Sequence, residues 1–375
     1  MQFRDLQKQY QVLKNEIDQA ISEVVSDCNF ISGQQVTDLE RKLAEYVGKK
    51  HCVTCANGTD ALMLAMMVWG LGPGDAVFVP DFTFFSTGEI VSFAGATPIF
   101  VDVEMDTFNI SIESLEKKVN EVVKEGKLTP KAIAPVDLFG LPADYDKIYE
   151  IAQKYQLLIL EDGAQGFGGQ IGNRRACSFG DISTTSFFPA KPLGCYGDGG
   201  AVFTDDDETA ELLKSYCVHG KGAIKYDNIR IGVNSRLDTL QAAVLLPKFE
   251  AFRKYELKDI NKAAELYTTL LNGVVETPVI PEGFFSSWAQ YTIRLKTKEE
   301  RDALQTELKE NGIPSMIYYM KPMHRQRAFE AYRFGDEDYP NTIQLCETVL
   351  SLPIHPYLSE SDIKKVADVI LRRQG

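Results

Sequence analysis

Between Val77 and Asp205, short runs of apolar and β-branched residues alternate with stretches in which apolar positions recur at helical spacing. The runs Ala76–Pro80, Pro98–Val103, Ala132–Asp137, Leu157–Glu161, Ser183–Phe188 and Ala201–Thr204 read as strands. Thr87–Ala94, Ile112–Lys124 and Tyr145–Lys154 read as helices; Tyr145, Ile148, Ile151 and Ala152 share one face with Tyr155 just beyond. Strands that are apolar at consecutive positions bury both faces, so the pattern predicts an α/β domain with a mostly parallel central sheet and helices on both sides. In such open sheets ligands gather outside the carboxyl ends of the strands, which makes the residues just after each strand the ones to read for chemistry.

The pattern changes near Leu246. Phe249–Leu271 is a long, charged helical stretch that reads as a connecting helix. A smaller α+β unit follows, with a strand at Tyr291–Leu295, a helix at Glu299–Asn311 stopped by Gly312, and a C-terminal helix at Asp362–Arg372. Thr277–Gly283, with its Pro and Gly, reads as a linker. The expected organisation is residues 1–248 as a large α/β domain with an N-terminal helical segment, and residues 249–375 as the connecting helix and small C-terminal domain.

At 375 residues with 44% hydrophobic and 25% charged positions, the composition is that of a folded globular protein. Lys plus Arg number 40 against 53 for Asp plus Glu, a formal charge of −13. That balance repels phosphate backbones and anionic lipid, which argues against nucleic acid or a membrane surface as partner. The longest apolar stretch, Ala61–Leu71, is about half of the roughly 20 residues a membrane span requires. The N-terminus has no apolar signal core, and seven cysteines are an odd number suited to reduced thiols, so a cytoplasmic location is expected. Cys52-x-x-Cys55 has no second pair and few histidines to complete a zinc site, so no metal is expected.

Three segments at strand ends carry candidate chemistry. Ser186-Phe-Phe-Pro-Ala-Lys191-Pro-Leu-Gly-Cys-Tyr-Gly-Asp-Gly-Gly200 would place Lys191 on a glycine-rich turn at the sheet's carboxyl edge, where its amine could attack a carbonyl carbon. Most lysines are solvated surface groups, and that reading stands beside it. Leu157-Leu-Ile-Leu-Glu161-Asp162-Gly-Ala-Gln165 ends an apolar strand with two carboxylates, costly there unless paired with a cation. The protonated ring nitrogen of pyridoxal 5′-phosphate is such a cation; a helix N-cap Asp is the plainer alternative. Cys55-Ala-Asn-Gly58-Thr59-Asp60-Ala-Leu62 opens an apolar helix with free amides and a hydroxyl, suited either to a phosphate or to ordinary capping by Thr59 or Asp60.

Together with Gly232-Val-Asn-Ser-Arg-Leu-Asp-Thr-Leu-Gln-Ala-Ala243, these motifs resemble the DegT/DnrJ/EryC1/StrS family of sugar aminotransferases nearly end to end. The resemblance implies the fold-type I architecture of the aspartate aminotransferase superfamily, with pyridoxal 5′-phosphate as cofactor. It implies Lys191 as Schiff-base lysine and proton shuttle and Asp162 as partner of the ring nitrogen. Gly58, Thr59 and Ser186 would hold the phosphate, Phe84 would cover one ring face and Gln165 would lie near the ring hydroxyl. Asn234 would reach the phosphate of a neighbouring subunit, which implies a homodimer with shared active sites.

The implied substrates are a nucleotide-linked keto-sugar and L-glutamate, used in a ping-pong mechanism. Phe187-Phe-Pro-Ala-Lys-Pro-Leu-Gly-Cys-Tyr-Gly-Asp-Gly-Gly200 and Arg230–Lys248 are most similar to the branch that aminates C3 of a UDP-linked 3-keto-N-acetylglucosaminuronate. Arg230 would then face an acidic sugar or diphosphate, or else hold a subunit interface. Tyr319, in Tyr318-Tyr319-Met320 where relatives have His-Tyr-Pro, and His324 are further candidate sugar contacts; for His324 an interface or internally satisfied role is the alternative. A 3- or 4-keto-6-deoxy sugar linked to dTDP or UDP is the other substrate reading. A cofactor-binding regulator without turnover is the reading from another class.

Overall fold

The computed structural model describes residues 1–224, 226–332 and 334–374. Its strands in chain order are β1 His51–Cys55, β2 Asp75–Pro80, β3 Thr97–Val101, β4 Thr129–Ile133, β5 Leu158–Asp162, β6 Gln170–Ile171, β7 Arg174–Arg175, β8 Ile182–Ser186, β9 Gly200–Thr204, β10 Phe284–Phe285, β11 Tyr291–Arg294 and β12 Val349–Leu352. The helices are α1 Leu6–Asp27, α2 Gln34–Val47, α3 Gly58–Trp69, α4 Ser86–Phe93, α5 Ile112–Glu125, α6 Tyr145–Tyr155, α7 Asp207–Tyr216, α8 Thr239–Ala251, α9 Leu257–Leu271, α10 Lys298–Glu310, α11 Pro340–Thr348 and α12 Glu360–Gln374.

Seven strands form the central sheet in the order β1-β9-β8-β5-β4-β2-β3. The pairs β2/β3, β2/β4, β4/β5 and β5/β8 are parallel, while β8/β9 and β1/β9 are antiparallel. Its strands are buried on both faces, as expected for a doubly covered sheet: Phe78, Ile133 and Ile159 pack toward α5 and α6, and Val77, Val79 and Leu160 toward α3 and α4. Local capping starts these helices where the chain chemistry allows it. Ser111, Asp144 and Asp206 accept from the amides of Ser114, Lys147 and Thr209 at the starts of α5, α6 and α7.

A separate apolar core gathers Ile260, Tyr267 and Leu271 of α9, Tyr291 and Ile293 of β11, Leu304 and Leu308 of α10, Leu350 and Leu352 of β12, and Val366 and Ile370 of α12. The helix expected at Phe249–Leu271 divides into the end of α8, a π turn at Phe252–Glu256, and α9. Residue 248 therefore lies inside a helix. Besides the two-residue strands β6, β7 and β10, the strands β1 and β12 escape the sequence pattern. β1 is a five-residue edge strand containing His51 and Thr54, and β12 follows α11 without a turn, so its apolar run reads as more helix. Among the described residues no helix is long and apolar enough to cross a membrane.

Candidate active site

The carboxyl ends of β5 and β8 lie side by side, and the residues that leave them meet α3 and α4. Alternation along β5 sends its two terminal carboxylates to opposite faces. Glu161 turns away and accepts from the amides of Cys177, Phe179 (2.6 Å) and Gly180 (3.1 Å) and from the Ser183 hydroxyl (2.6 Å). Its pairing with a whole turn of backbone fixes the end of the strand. Asp162 turns the other way. Its Oδ2 accepts from Thr87 Oγ1 at 2.7 Å and its Oδ1 from the Ala164 amide at 3.2 Å. No helix begins there, so the capping alternative for Asp162 does not hold.

Burial pushes the Asp162 carboxyl above its ordinary range, against the Thr87 and Ala164 hydrogen bonds and the Lys191 charge, which pull it down. A fixed cation beside it would hold it ionised. Lys191 stands at the far side of the same site, on the turn that runs from Phe187 to Gly199. The Lys191 amide donates to Phe188 O at 2.8 Å, Cys195 N to Phe187 O at 2.8 Å and Phe187 N to Gly199 O at 2.7 Å. Gly194 makes this closure feasible: a Cβ there would lie 2.6 Å from Phe188 O and 2.5 Å from Pro189 O. Burial of its amine lowers Lys191 from 10.5 to about 8, with Asp162 opposing the shift and Arg4 adding to it. An amine tuned near neutrality is a nucleophile and a proton carrier at the pH of a cell.

At the start of α3, the cap is Asn57, whose Oδ1 accepts from the Asp60 amide at 2.8 Å. Neither Thr59 nor Asp60 is used as the cap. Thr59 Oγ1 is left 2.8 Å from Ser86 Oγ, and Asp60 accepts from Ser235 Oγ at 2.6 Å. Gly58 approaches Ser186 so closely that a Cβ on it would sit 2.7 Å from Ser186 Cβ. The two segments thus close into a cradle of amides and hydroxyls at a helix N-terminus, a donor set suited to a phosphate.

Gln165 spans the floor of the site. Its Oε1 accepts from the Phe139 amide at 2.9 Å and its Nε2 donates to Tyr319 Oη at 3.0 Å. Burial raises the Tyr319 hydroxyl above its ordinary value, so it stays protonated. Phe84, just before α4, keeps 55% of its surface exposed and so offers an open aromatic face. Lys191, Asp162, Gly58, Thr59, Ser186, Phe84, Gln165 and Tyr319 therefore belong to the loops around one strand-end opening.

Three predicted residues stand elsewhere. His324 takes the internally satisfied arrangement that the sequence left open: Nδ1 lies 2.6 Å from Asp81 Oδ2 and Nε2 lies 3.0 Å from Asp336 Oδ1, its ring stacks on Tyr339 at 4.3 Å, and both nitrogens are committed. Burial opposes its protonation, but the two carboxylates outweigh this and raise its pKa. Arg230 donates to Ser215 Oγ at 2.6 Å and lies over the Tyr216 ring, on an outer loop held to the end of α7. Asn234 is exposed on the same loop, bridged to Val218.

Sequence reasoning missed Thr87, the one side chain among the described residues that donates to Asp162. The signal was weak: its position 75 residues upstream gives no hint of the contact, which depends on β2 and β5 flanking β4.

Comparison with known proteins agrees with this geometry. The family described as the DegT/DnrJ/EryC1/StrS aminotransferase family is matched over residues 11–371. A UDP-2-acetamido-2-deoxy-3-oxo-D-glucuronate aminotransferase of Pseudomonas aeruginosa is 43% identical over 368 residues, covering 97% of this chain and 98% of that protein. The crystal structure of a DegT DnrJ EryC1 StrS aminotransferase from Brucella abortus superposes with a TM-score of 0.97 at 49% identity, over 100% of both chains. S. venezuelae DesV, solved in complex with a ketimine intermediate, superposes with a TM-score of 0.93 at 34% identity, over 100% of this chain and 98% of that one.

Proposed function

Because this chain belongs to the DegT/DnrJ/EryC1/StrS aminotransferase family, with the fold-type I architecture and pyridoxal 5′-phosphate as cofactor, we propose that it transfers the amino group of L-glutamate to C3 of a UDP-linked 3-keto-N-acetylhexuronate. The observation that supports this most directly is the placement of a half-buried lysine lowered to about 8 and a buried carboxylate around a cradle of amides and hydroxyls at one sheet edge. The residues present suit the cofactor on each count: Asp162 offers a carboxylate to a ring nitrogen, Thr59, Ser186 and the Gly58 amide offer donors to a phosphate, and Phe84 offers an aromatic face.

When bound, the cofactor supplies an electron sink and a carbonyl carbon that accepts the amino group. Lys191 Nζ is the group that moves the proton in each half of the reaction. Asp162, ionised and steadied by Thr87, keeps the ring nitrogen protonated. Gln165 and Tyr319 form a hydrogen-bonded pair that would orient polar groups entering the site. The amino donor leaves before the sugar enters, so ping-pong kinetics follow.

The active unit in this reading is a homodimer. The loop that carries Asn234 exposes Ile224, Ile229 and Ile231 at 69%, 57% and 90%, and Phe188 beside Lys191 is 52% exposed. In this reading those exposed apolar groups would be covered by a second copy, and Asn234 on that loop would reach the phosphate cradle of that copy.

Visible absorption spectroscopy tests the proposal. The cofactor band is expected to fall when L-glutamate is added and to return with a UDP-linked 3-keto-uronate. A protein indifferent to glutamate, or one that turns over dTDP-linked 4-keto sugars faster, overturns it. Gly58→Ala tests the cradle separately. Overpacking of about 1–3 kcal/mol at the Ser186 contact should weaken cofactor binding about fivefold or more, measured by equilibrium dialysis against pyridoxal phosphate.

A further inference from the structure

The N-terminal segment ahead of α1 crosses beneath the Lys191 turn and touches the loop before α12, where the Ile354 amide donates to Phe3 O. Arg4 is inserted at this crossing. Its Nη2 donates to Pro192 O, the carbonyl next to Lys191, at 3.3 Å, and its Nη1 is buried with no hydrogen-bond partner among the described residues. Arg4, Lys191, Gln9, His355 and Tyr357 line one small cavity of about 10 Å³, room for a single water. A buried guanidinium with an unused N–H is costly, so its presence against a reactive lysine calls for a reason.

Resting on the reading of Lys191 as the reactive amine, we propose that Arg4 is a positioning residue: it fastens the Lys191 turn through Pro192 and sets a fixed positive charge beside the amine, favouring its neutral, nucleophilic form.

The surrounding charges agree with this assignment. Lys191 is faced by Asp162 from β5 and by Arg4 from the N-terminal segment. Asp5 also borders the cavity, with its carboxylate turned to cap α1 at the Lys8 amide. His355 adds no charge, because burial lowers it to about 4, and burial keeps the Tyr357 hydroxyl protonated. Arg4 itself is faced by Glu256 of the π turn and Lys248 of α8. Glu256 Oε1 already accepts from Gln9 Nε2 at 2.8 Å and from Tyr357 Oη at 2.5 Å, so this carboxylate is shared rather than dedicated to Arg4. Lys248, lowered by burial to about 8, adds partial positive charge. Among these groups Arg4 is the cation that acts on Lys191, opposing the pull of Asp162, and repulsion between like charges favours the neutral amine.

The test uses the full-length protein freed of cofactor and labelled with 1-fluoro-2,4-dinitrobenzene from about pH 6 to about pH 10, a range that brackets lysine titration, with Lys191 modification read by peptide mass spectrometry. In the parent, Lys191 labelling is expected to rise through a midpoint near 8. In Arg4→Gln and in the neutral, apolar Arg4→Met, the midpoint should move up by about half a pH unit or more, so that labelling below the midpoint falls about threefold while the high-pH plateau is kept. Arg4→Lys should return the midpoint toward the parent's. An unchanged midpoint in both neutral variants overturns the proposal, as does a uniform loss at every pH, which would mark Arg4 as merely structural. These outcomes are independent of the catalytic reading, which fails instead if the parent does not take up pyridoxal phosphate at Lys191.

Discussion

Lys191→Ala is expected to lower amino transfer by about 10⁴-fold while leaving the fold intact. The turn that carries the lysine is closed by backbone bonds among Phe187, Phe188, Cys195 and Gly199, none of which involves the side chain. Removing a buried amine also removes its desolvation cost, so the melting temperature should fall little or not at all. What is lost is the group that attacks the cofactor's carbonyl and the group that carries the proton, both served by one Nζ. Product formation from glutamate and sugar, the visible spectrum and thermal melting together check this. Turnover near the parent's would remove Lys191 from the mechanism, and Lys191→Arg should not restore activity because a guanidinium stays protonated.

Asp162→Asn is expected to cost about 10³-fold in turnover, the scale found when one preorganised electrostatic contact is removed. The amide is nearly isosteric and can still accept from Thr87, so the site should keep its shape while losing the negative charge that holds a ring nitrogen protonated. A pH dependence follows with a definite sign. Burial raises the Asp162 carboxyl and a ring cation beside it would oppose that rise, so in the parent activity should decline only on the acid side, as the carboxylate, the working form, is protonated. In Asp162→Asn that acidic limb should be absent and turnover low throughout. Steady-state rates across the acidic range decide it, and an Asn variant with the parent's rate and profile would show that the charge is not used.

The fold was legible to the extent that its determinants are local. The apolar runs at Val77, Ala132 and Leu157 and the amphipathic stretches at Ile112 and Tyr145 anticipated the central strands and their covering helices, because strands buried on both faces leave no other periodicity. Edge strand β1 and the π turn at Phe252–Glu256 were not legible, since each depends on what packs against it. The reactive segments were legible because glycine, lysine and carboxylate at strand ends are an unusual expense for a purely structural chain. For His324 the sequence left a sugar contact and an internally satisfied role both open, because a histidine's partners, here Asp81 and Asp336, come from positions 243 and 12 residues away.

By itself, the order of residues determined which side chains were available at each strand end: Lys191 on its glycine-rich turn, Asp162 closing an apolar strand, and Gly58 and Thr59 opening a helix. Tertiary structure decided how they are used. Crossover topology sets β5 beside β8 and brings Thr87 onto Asp162, and the return of the N-terminal segment puts Arg4 against Pro192. Burial and the charges of distant neighbours set the proton affinities of Lys191 and Asp162, and desolvation exists only once the chain has closed around them.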